Sequence, residues 1–320
     1  MTIHMPHVSV CLPVYNGQQY VQEAITSVLH QTWSDLELVI SDNASVDGTG
    51  EQCRKFAASE PRVHYHPASS NRGLAWNFNR AFQLARGRYV MWMGHDDVLD
   101  PDYLRQCVRV LEHDSECVIC FSYQNHIDET GNTVSGTIAE NRGGALRASD
   151  RFCNLIKRDH GCDPVFGLMR RTALVQTGLH GGYAGSDRVL LAEMGLRGRF
   201  SLIPRYLFAR RMHSQGTTLR FRRRRERSLV FDPGKAGTIF FPFLLKARAL
   251  ATGVNRAQLS WTERMRCYRH LLCWLYTYRE EVRWDVQEGL VQALERHVSV
   301  EQISRLRAAK RRLCERSSQS

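Results

Sequence analysis

Two carboxylates stand side by side at Asp96 and Asp97, where the apolar run of residues 89–93 gives way to Gly94 and His95. Adjacent negative charges repel each other, so such a pair needs water around it or a cation between chain and ligand. A divalent cation held by Asp96 against phosphate oxygens is one chemistry open to it, because hard cations prefer oxygen ligands and neutralise a departing diphosphate. Starting a turn and capping a helix is the plainer use. Asp42, at the end of LELVISD, offers the same choice: it can accept a nucleotide base N–H or serve as a turn residue. Ser186 and Asp187, ahead of an apolar helical stretch, also fit a helix N-terminus.

These groups need elements to hold them. VSVCLPVY from Val8 reads as a buried strand, LELVIS as a second, RVHYH as a weaker third and RYVMWM as a fourth. Between them, Val21, Ala24, Ile25, Val28 and Leu29 recur at helical spacing, as do Leu74, Phe78, Ala81, Phe82 and Ala85. Asp47 is placed to cap the helix after the second strand, Gly87 to end the one before the fourth, and Asp100 with Pro101 to start the next. Strand and helix in alternation predict an α/β fold: a mainly parallel sheet with helices on both faces. Ligands of such sheets sit outside the carboxyl ends of the strands. Those ends read PVYNG, SDNASVDGT and GHDDVLDP, so three polar clusters converge on one edge. CVICFSY follows as a further strand, with a turn at residues 128–131 and the glycine-rich GGYAGSD before a helix.

The 320 residues can bury a full core, and their charge is unevenly spread. Residues 1–204 carry 19 Lys+Arg against 22 Asp+Glu, whereas residues 205–320 carry 25 against 10. The change of composition around the arginine run of residues 222–225 divides the expected organisation into an α/β domain, 1–218, and a basic, mainly helical region, 219–320. Ten scattered cysteines without zinc spacing read as reduced packing residues and point to the cytoplasm. No signal peptide is expected from MTIHMPHVSVCLPVYN, and no apolar stretch approaches the roughly 20 residues of a membrane span.

PVYNGQQ is neither a dinucleotide fingerprint nor a P-loop, which argues against a dehydrogenase and against P-loop phosphotransfer. PVYNG, SDNASVDGT, NRGLAWNFNRAF and ARGRYVMWMGHDD, in this order and spacing, resemble the successive motifs of the family 2 glycosyltransferases over about residues 8–215. The resemblance implies the GT-A fold and inverting transfer of a sugar from a nucleotide diphosphate donor, with Mn²⁺ or Mg²⁺ as cofactor. It implies that Pro13, Tyr15 and Asn16 line the nucleotide pocket, that Asp42 bonds the base, and that Asn71 and Gly73 form the turn beside the donor. It further implies Asp96 as the last Asp of the Asp-x-Asp metal motif, Asp187 as general base, and His213 as part of the metal and diphosphate shell. Here the first Asp of that motif is Gly94, a His-Asp-Asp variant in which His95 or Asp97 compensates; Phe78 replaces an Arg common in the family, beside Trp76 and Asn77.

The expected acceptor is a glycan or a lipid-linked molecule, in cell-envelope polysaccharide synthesis. A sugar nucleotidyltransferase and a non-catalytic nucleotide-sugar binding module are the rival readings. The arginine run, with IFFPFLL, Trp261, Trp274 and Trp284 nearby, suits a solvated loop or peripheral contact with an anionic membrane, and the three tryptophans equally suit packing of the terminal helices on the first domain. No nucleic-acid motif accompanies it, so no nucleic-acid partner is expected.

Overall fold

The computed structural model describes residues 5–157, 161–214 and 224–297, without the side chains of 224, 225 and 294–297. Its first half alternates as the sequence predicts: β1 (Val8–Val14), α1 (Val21–Leu29), β2 (Leu36–Asp42), α2 (Thr49–Ser59), β3 (Val63–Pro67), α3 (Leu74–Leu84) and β4 (Tyr89–Trp92). There follow β5 (Val98–Leu99), α4 (Tyr103–His113), β6 (Cys117–Ile127), β7 (Thr133–Thr137), α5 (Ala148–Ile156), β8 (Leu168–Arg170), α6 (Arg171–Leu174), α7 (Ser186–Arg197) and β9 (Arg199–Arg211). Four helices close the described chain: α8 (Arg224–Phe231), α9 (Pro242–Arg256), α10 (Trp261–Thr277) and α11 (Arg279–His297).

The strands form one mixed sheet in the order β3-β2-β1-β4-β8-β6-β9-β5, with β7 hairpinned onto β6. β3, β2, β1 and β4 are mutually parallel, and β6 runs parallel to β9, while β8 is antiparallel to both of its neighbours. All seven residues of β1 are buried because helices cover both faces of this central strand. Alternation then divides the side chains: Val10 and Leu12 join the apolar cluster under α1 and α4, whereas Cys11, Val39 and Trp92 join the cluster under α3, α5 and α7.

Two local expectations are corrected. Asp100 and Pro101 do not open a helix directly: the two-residue β5 pairs antiparallel with β9, and α4 starts at Tyr103 after a turn in which Asp100 Oδ1 accepts the Asp102 N–H at 2.9 Å. Gly87 does not terminate α3, which ends at Leu84 with Ala85 already extended. Gly87 is needed for close approach instead, since a Cβ there would stand 2.6 Å from the Ser9 nitrogen. The nine described cysteines are all free, and seven of them are buried.

The helices beyond residue 241 share the cluster beneath α3, α5 and α7. Phe243, Leu250, Val254, Cys267, Leu271 and Trp274 all belong to it, and Phe243 stacks on Trp274 with ring centroids 4.7 Å apart. Polar contacts hold the same seam. Glu193 of α7 accepts from Arg256 at 2.9 Å, and Glu263 of α10 caps α5 by accepting the Ser149 N–H at 2.9 Å. Gly253 lets α9 lie against α7, because a Cβ there would reach 2.6 Å from the Glu193 Cγ. Trp274→Ala should therefore cost about 3–5 kcal/mol, the range for truncating a buried aromatic. Denaturant unfolding should remain one transition; a separate early loss of helix in the variant or the wild type would mean that the terminal helices fold on their own.

Candidate functional site

The carboxylate loop follows β4. Asp96 is partly exposed and its Oδ2 lies 2.8 Å from His213 Nε2, just past the end of β9. Asp97 is buried and its Oδ1 accepts the Arg211 N–H at 3.1 Å. The Arg211 side chain is buried as well: Nε donates to the Asp96 carbonyl at 2.9 Å, Nη1 to the Asp128 carbonyl at 2.9 Å and Nη2 to Glu23 at 2.6 Å, while the guanidinium sits 4.6 Å from the Tyr20 ring centroid. Three segments distant in sequence thus fix one short loop.

Electrostatics separate the two acids. Burial pushes the Asp96 carboxyl up, but the His213 hydrogen bond and the His95 and His213 charges outweigh it and hold the group below its ordinary value. Asp97 is pushed up, by burial first and then by the Asp96 charge, against the opposing Arg211 contact. His213 is raised, mainly by its bond to Asp96. The pair therefore carries its negative charge on Asp96, the member facing outward.

Gly94 stands where the first Asp of the metal motif was expected, and the packing accounts for it. A Cβ at 94 would lie 2.6 Å from both Asp96 Oδ1 and Asp97 Oδ2, since the two carboxylates turn back over this residue. His95 in turn lies over Gly17, where a Cβ would meet its ring at 2.4 Å. Among the described residues no three His, Cys, Asp or Glu gather as a metal cage. One carboxylate oxygen and one imidazole nitrogen facing each other do fit a cation that takes its remaining ligands from phosphate and water.

The other predicted residues are brought to the same sheet edge, with different roles. Tyr15 and Asn16 are exposed, and Asn16, at φ 53°, laces two strand ends: its N–H donates to Ser45 Oγ and its Oδ1 accepts from Val46, both at 2.9 Å. Asp42 is buried and accepts from Tyr65 at 2.6 Å and Ser45 at 2.9 Å. Pro13 is buried within β1, and the buried amide of Asn77 is engaged by Ser41 at 2.7 Å and the Val14 carbonyl at 3.1 Å. Asn71 is exposed and accepts from Asn43 at 2.9 Å, and Asn43 also accepts the Arg72 N–H at 2.9 Å. Gly73, at φ 88°, has no room for a side chain beneath Phe231 and Pro233. Asn43, inside a quoted motif, is the residue that sequence reasoning missed; Arg211 is the Arg of the Arg-x-His segment that ends at His213, and its anchoring role was not legible there.

Asp187 occupies the first turn of α7, partly exposed. Its charge, after burial itself, raises the neighbouring Cys162 thiol, and it opposes the burial that lowers His180 to about 4. His180 is neutral, edge-on to Trp92 at 4.8 Å, with neither ring nitrogen bonded. It borders a cavity of about 490 Å³ between Asn71, Trp76, Asn79 and residues 231–234. A cleft of about 530 Å³ lies beside Glu37, Arg62 and Arg86, at the amino ends of β2 and β3 and away from the carboxylate edge.

Comparison with known proteins gives the chain a family and a fold likeness. The family model for glycosyl transferase family 2 matches residues 9–178, just over half of the chain. A chondroitin synthase of Escherichia coli is 33% identical over 131 residues, 41% of this chain and 19% of that protein. A putative glycosyltransferase, EpsH, of Bacillus subtilis is 29% identical over 138 residues, 42% of this chain and 39% of that one. The chain therefore spans well under half the length of either relative. S. aureus TarS 1–349, solved with UDP-GlcNAc, superposes with a TM-score of 0.62 at 15% identity, over 90% of this chain and 79% of that one, a likeness of fold.

The carboxylate loop generates two expectations. In metal-free protein, His213 should stay protonated above the ordinary histidine range, and Asp96→Asn should return it to that range; ring NMR titration reads both. The stability from His213 is full below its unfolded pKa of about 6.5 and is lost as pH rises through the raised folded value. The part from Asp96 is present above its unfolded pKa and is lost as pH falls through the lowered folded one. Gly94→Asp should not add a third ligand. It should displace Asp96 and Asp97 and weaken Mn²⁺ binding by calorimetry; tighter binding would contradict the steric account.

Proposed function

The chain belongs to glycosyl transferase family 2, and from that premise we propose that it transfers a sugar from a nucleotide diphosphate donor to a glycan or lipid-linked acceptor hydroxyl, with inversion at the anomeric carbon. The observation that carries this reading is the outward-facing Asp96–His213 pair, 2.8 Å apart, at the carboxyl edge of the parallel strands. The nucleotide lies along that edge, with Tyr15, Asn16 and Asn71 exposed to it. Asp42 receives the base as a third donor beside Tyr65 and Ser45. Pro13, Asn77 and Gly73 shape the pocket from within rather than touch the ligand. Asp96 and His213 would hold a divalent cation, which supplies positive charge against the diphosphate when bound.

Asp187 acts as general base. It takes the proton from the acceptor hydroxyl as that oxygen bonds to the anomeric carbon and the bond from that carbon to the diphosphate oxygen breaks. The product is the glycoside, and the nucleoside diphosphate departs with the electron pair. Burial keeps the neighbouring Cys162 thiol protonated, so no competing thiolate stands beside Asp187 at neutral pH. His95 and Asp97 hold the loop of this His-Asp-Asp variant. Residues 1–218 carry the donor site in this reading, and residues 219–320 wall the acceptor side through residues 231–234. The setting is cytoplasmic, at the inner face of a membrane where envelope polysaccharide is made; among the described residues no helix is long and apolar enough to cross one.

A screen of nucleotide diphosphate sugars with Mn²⁺, read by thermal shift and then by donor cleavage, tests the reading, since a ligand that binds only the folded state raises the midpoint. Release of nucleoside diphosphate supports the transferase. Exchange of pyrophosphate instead, or binding without turnover, would overturn it. Asp96→Ala should abolish turnover and the metal dependence of nucleotide binding. Asp187→Asn should slow transfer by at least about a hundredfold with donor affinity unchanged; a fall in affinity alone would make Asp187 a binding residue.

A further inference from the structure

Helix α10 has two apolar faces, and among the described residues only one is packed against the fold. Cys267, Leu271 and Trp274 are buried in the core. Roughly opposite them, Trp261 is 74% exposed, Met265 39%, Leu272 66% and Tyr276 72%. At 3.6 residues per turn these four fall within about 60° of one another and form a stripe about 22 Å long. A solvated helix face is ordinarily polar, and a contiguous apolar stripe of this kind marks an interaction surface. Arg266 and Arg269 are exposed along one flank. The one acid of this helix, Glu263, is already engaged by Ser149 and Arg266.

We propose that this face of α10 lies on an anionic lipid surface, with Leu272 and Met265 in the acyl boundary, Trp261 and Tyr276 at the headgroup level, and Arg266 and Arg269 against lipid phosphates. Each group suits that layer. Trp and Tyr carry a polar tip on an apolar body, and an arginine keeps its head in the phosphate layer while its stem covers apolar surface. A helix with an apolar stripe and a basic flank binds by buried area plus attraction to anionic headgroups. A second copy of the chain is the weaker occupant. The stripe exposes on the order of a few hundred Å², below the roughly 800 Å² per partner of a stable interface, and pairing it with itself would crowd four arginines along one seam. The proposal concerns where the protein sits and does not rest on the transfer reaction.

The test uses the full chain with vesicles of equal parts phosphatidylcholine and phosphatidylglycerol, and with phosphatidylcholine alone. Wild type should sediment with the anionic vesicles at low salt and be released as salt shortens the screening length. Leu272→Gln with Tyr276→Ser should lower partitioning at least about tenfold, because the apolar contact is lost. Arg266→Gln and Arg269→Gln should each lower it about fivefold on anionic vesicles only. Brominated lipid should quench tryptophan fluorescence in wild type and not in Trp261→Phe. All the substituted side chains are exposed, and an unchanged melting midpoint shows that the variants fold. Equal sedimentation of wild type and the Leu272→Gln, Tyr276→Ser variant, or no sedimentation of wild type, overturns the proposal. So does a wild-type dimer in solution that the same variant abolishes.

Discussion

The buried guanidinium of Arg211 is the contact on which the site depends. A charge out of water must be repaid by hydrogen bonds in full, or its desolvation cost stands uncompensated. Here two backbone carbonyls, the Glu23 carboxylate and the Tyr20 face repay it, and its own N–H holds Asp97. Because Arg211 is the last residue of β9, these bonds fasten the carboxylate loop to α1, to the β6–β7 hairpin and to the segment that carries His213. A lysine could keep the charge but not the fork, since one ammonium cannot reach three directions in a plane.

That anchorage resolves the repulsion built into two adjacent carboxylates. If both faced outward, they would compete for one cation and repel each other without it. Turning Asp97 inward buries it and so raises its pKa, in spite of the Arg211 N–H that it accepts, while Asp96 keeps its charge against His213. The turn required to point them apart brings both over residue 94. Gly94 thus goes with how the loop folds, since a side chain at 94 is one for which this loop has no room.

The strands and helices of the first half were legible because their periodicities are strong: seven buried residues in β1, and Val21, Ala24, Ile25 and Val28 one turn apart in α1. β5 was not, since two residues paired by a distant strand leave no local pattern. Gly87 was misread for a related reason, because a glycine serving close approach to Ser9 looks the same in sequence as one ending a helix. Within the site, residue types located the sheet edge but not which groups face outward. Asn77 and Asn71 lie in one motif, yet Asn77 is buried between two strand ends and Asn71 is exposed. That difference is set by where α3 meets the sheet, a tertiary fact.

The positive surplus of the second half also means something different once it is placed. As a count, every arginine beyond residue 204 adds to one field. In the fold, Arg211 answers Glu23 and Arg256 answers the buried Glu193, so these charges are spent on local pairing and add little beyond it. The run at residues 222–225 lies outside the residues described with side chains. Arg269 is exposed on α10 beside an apolar stripe, as is Arg266 on the far side of its pairing with Glu263, and a charge acts on a distant surface only when it is exposed and near the plane of contact. Position, rather than the size of the surplus, therefore suits this helix to meet an anionic surface, and the apolar stripe gives that attraction a direction.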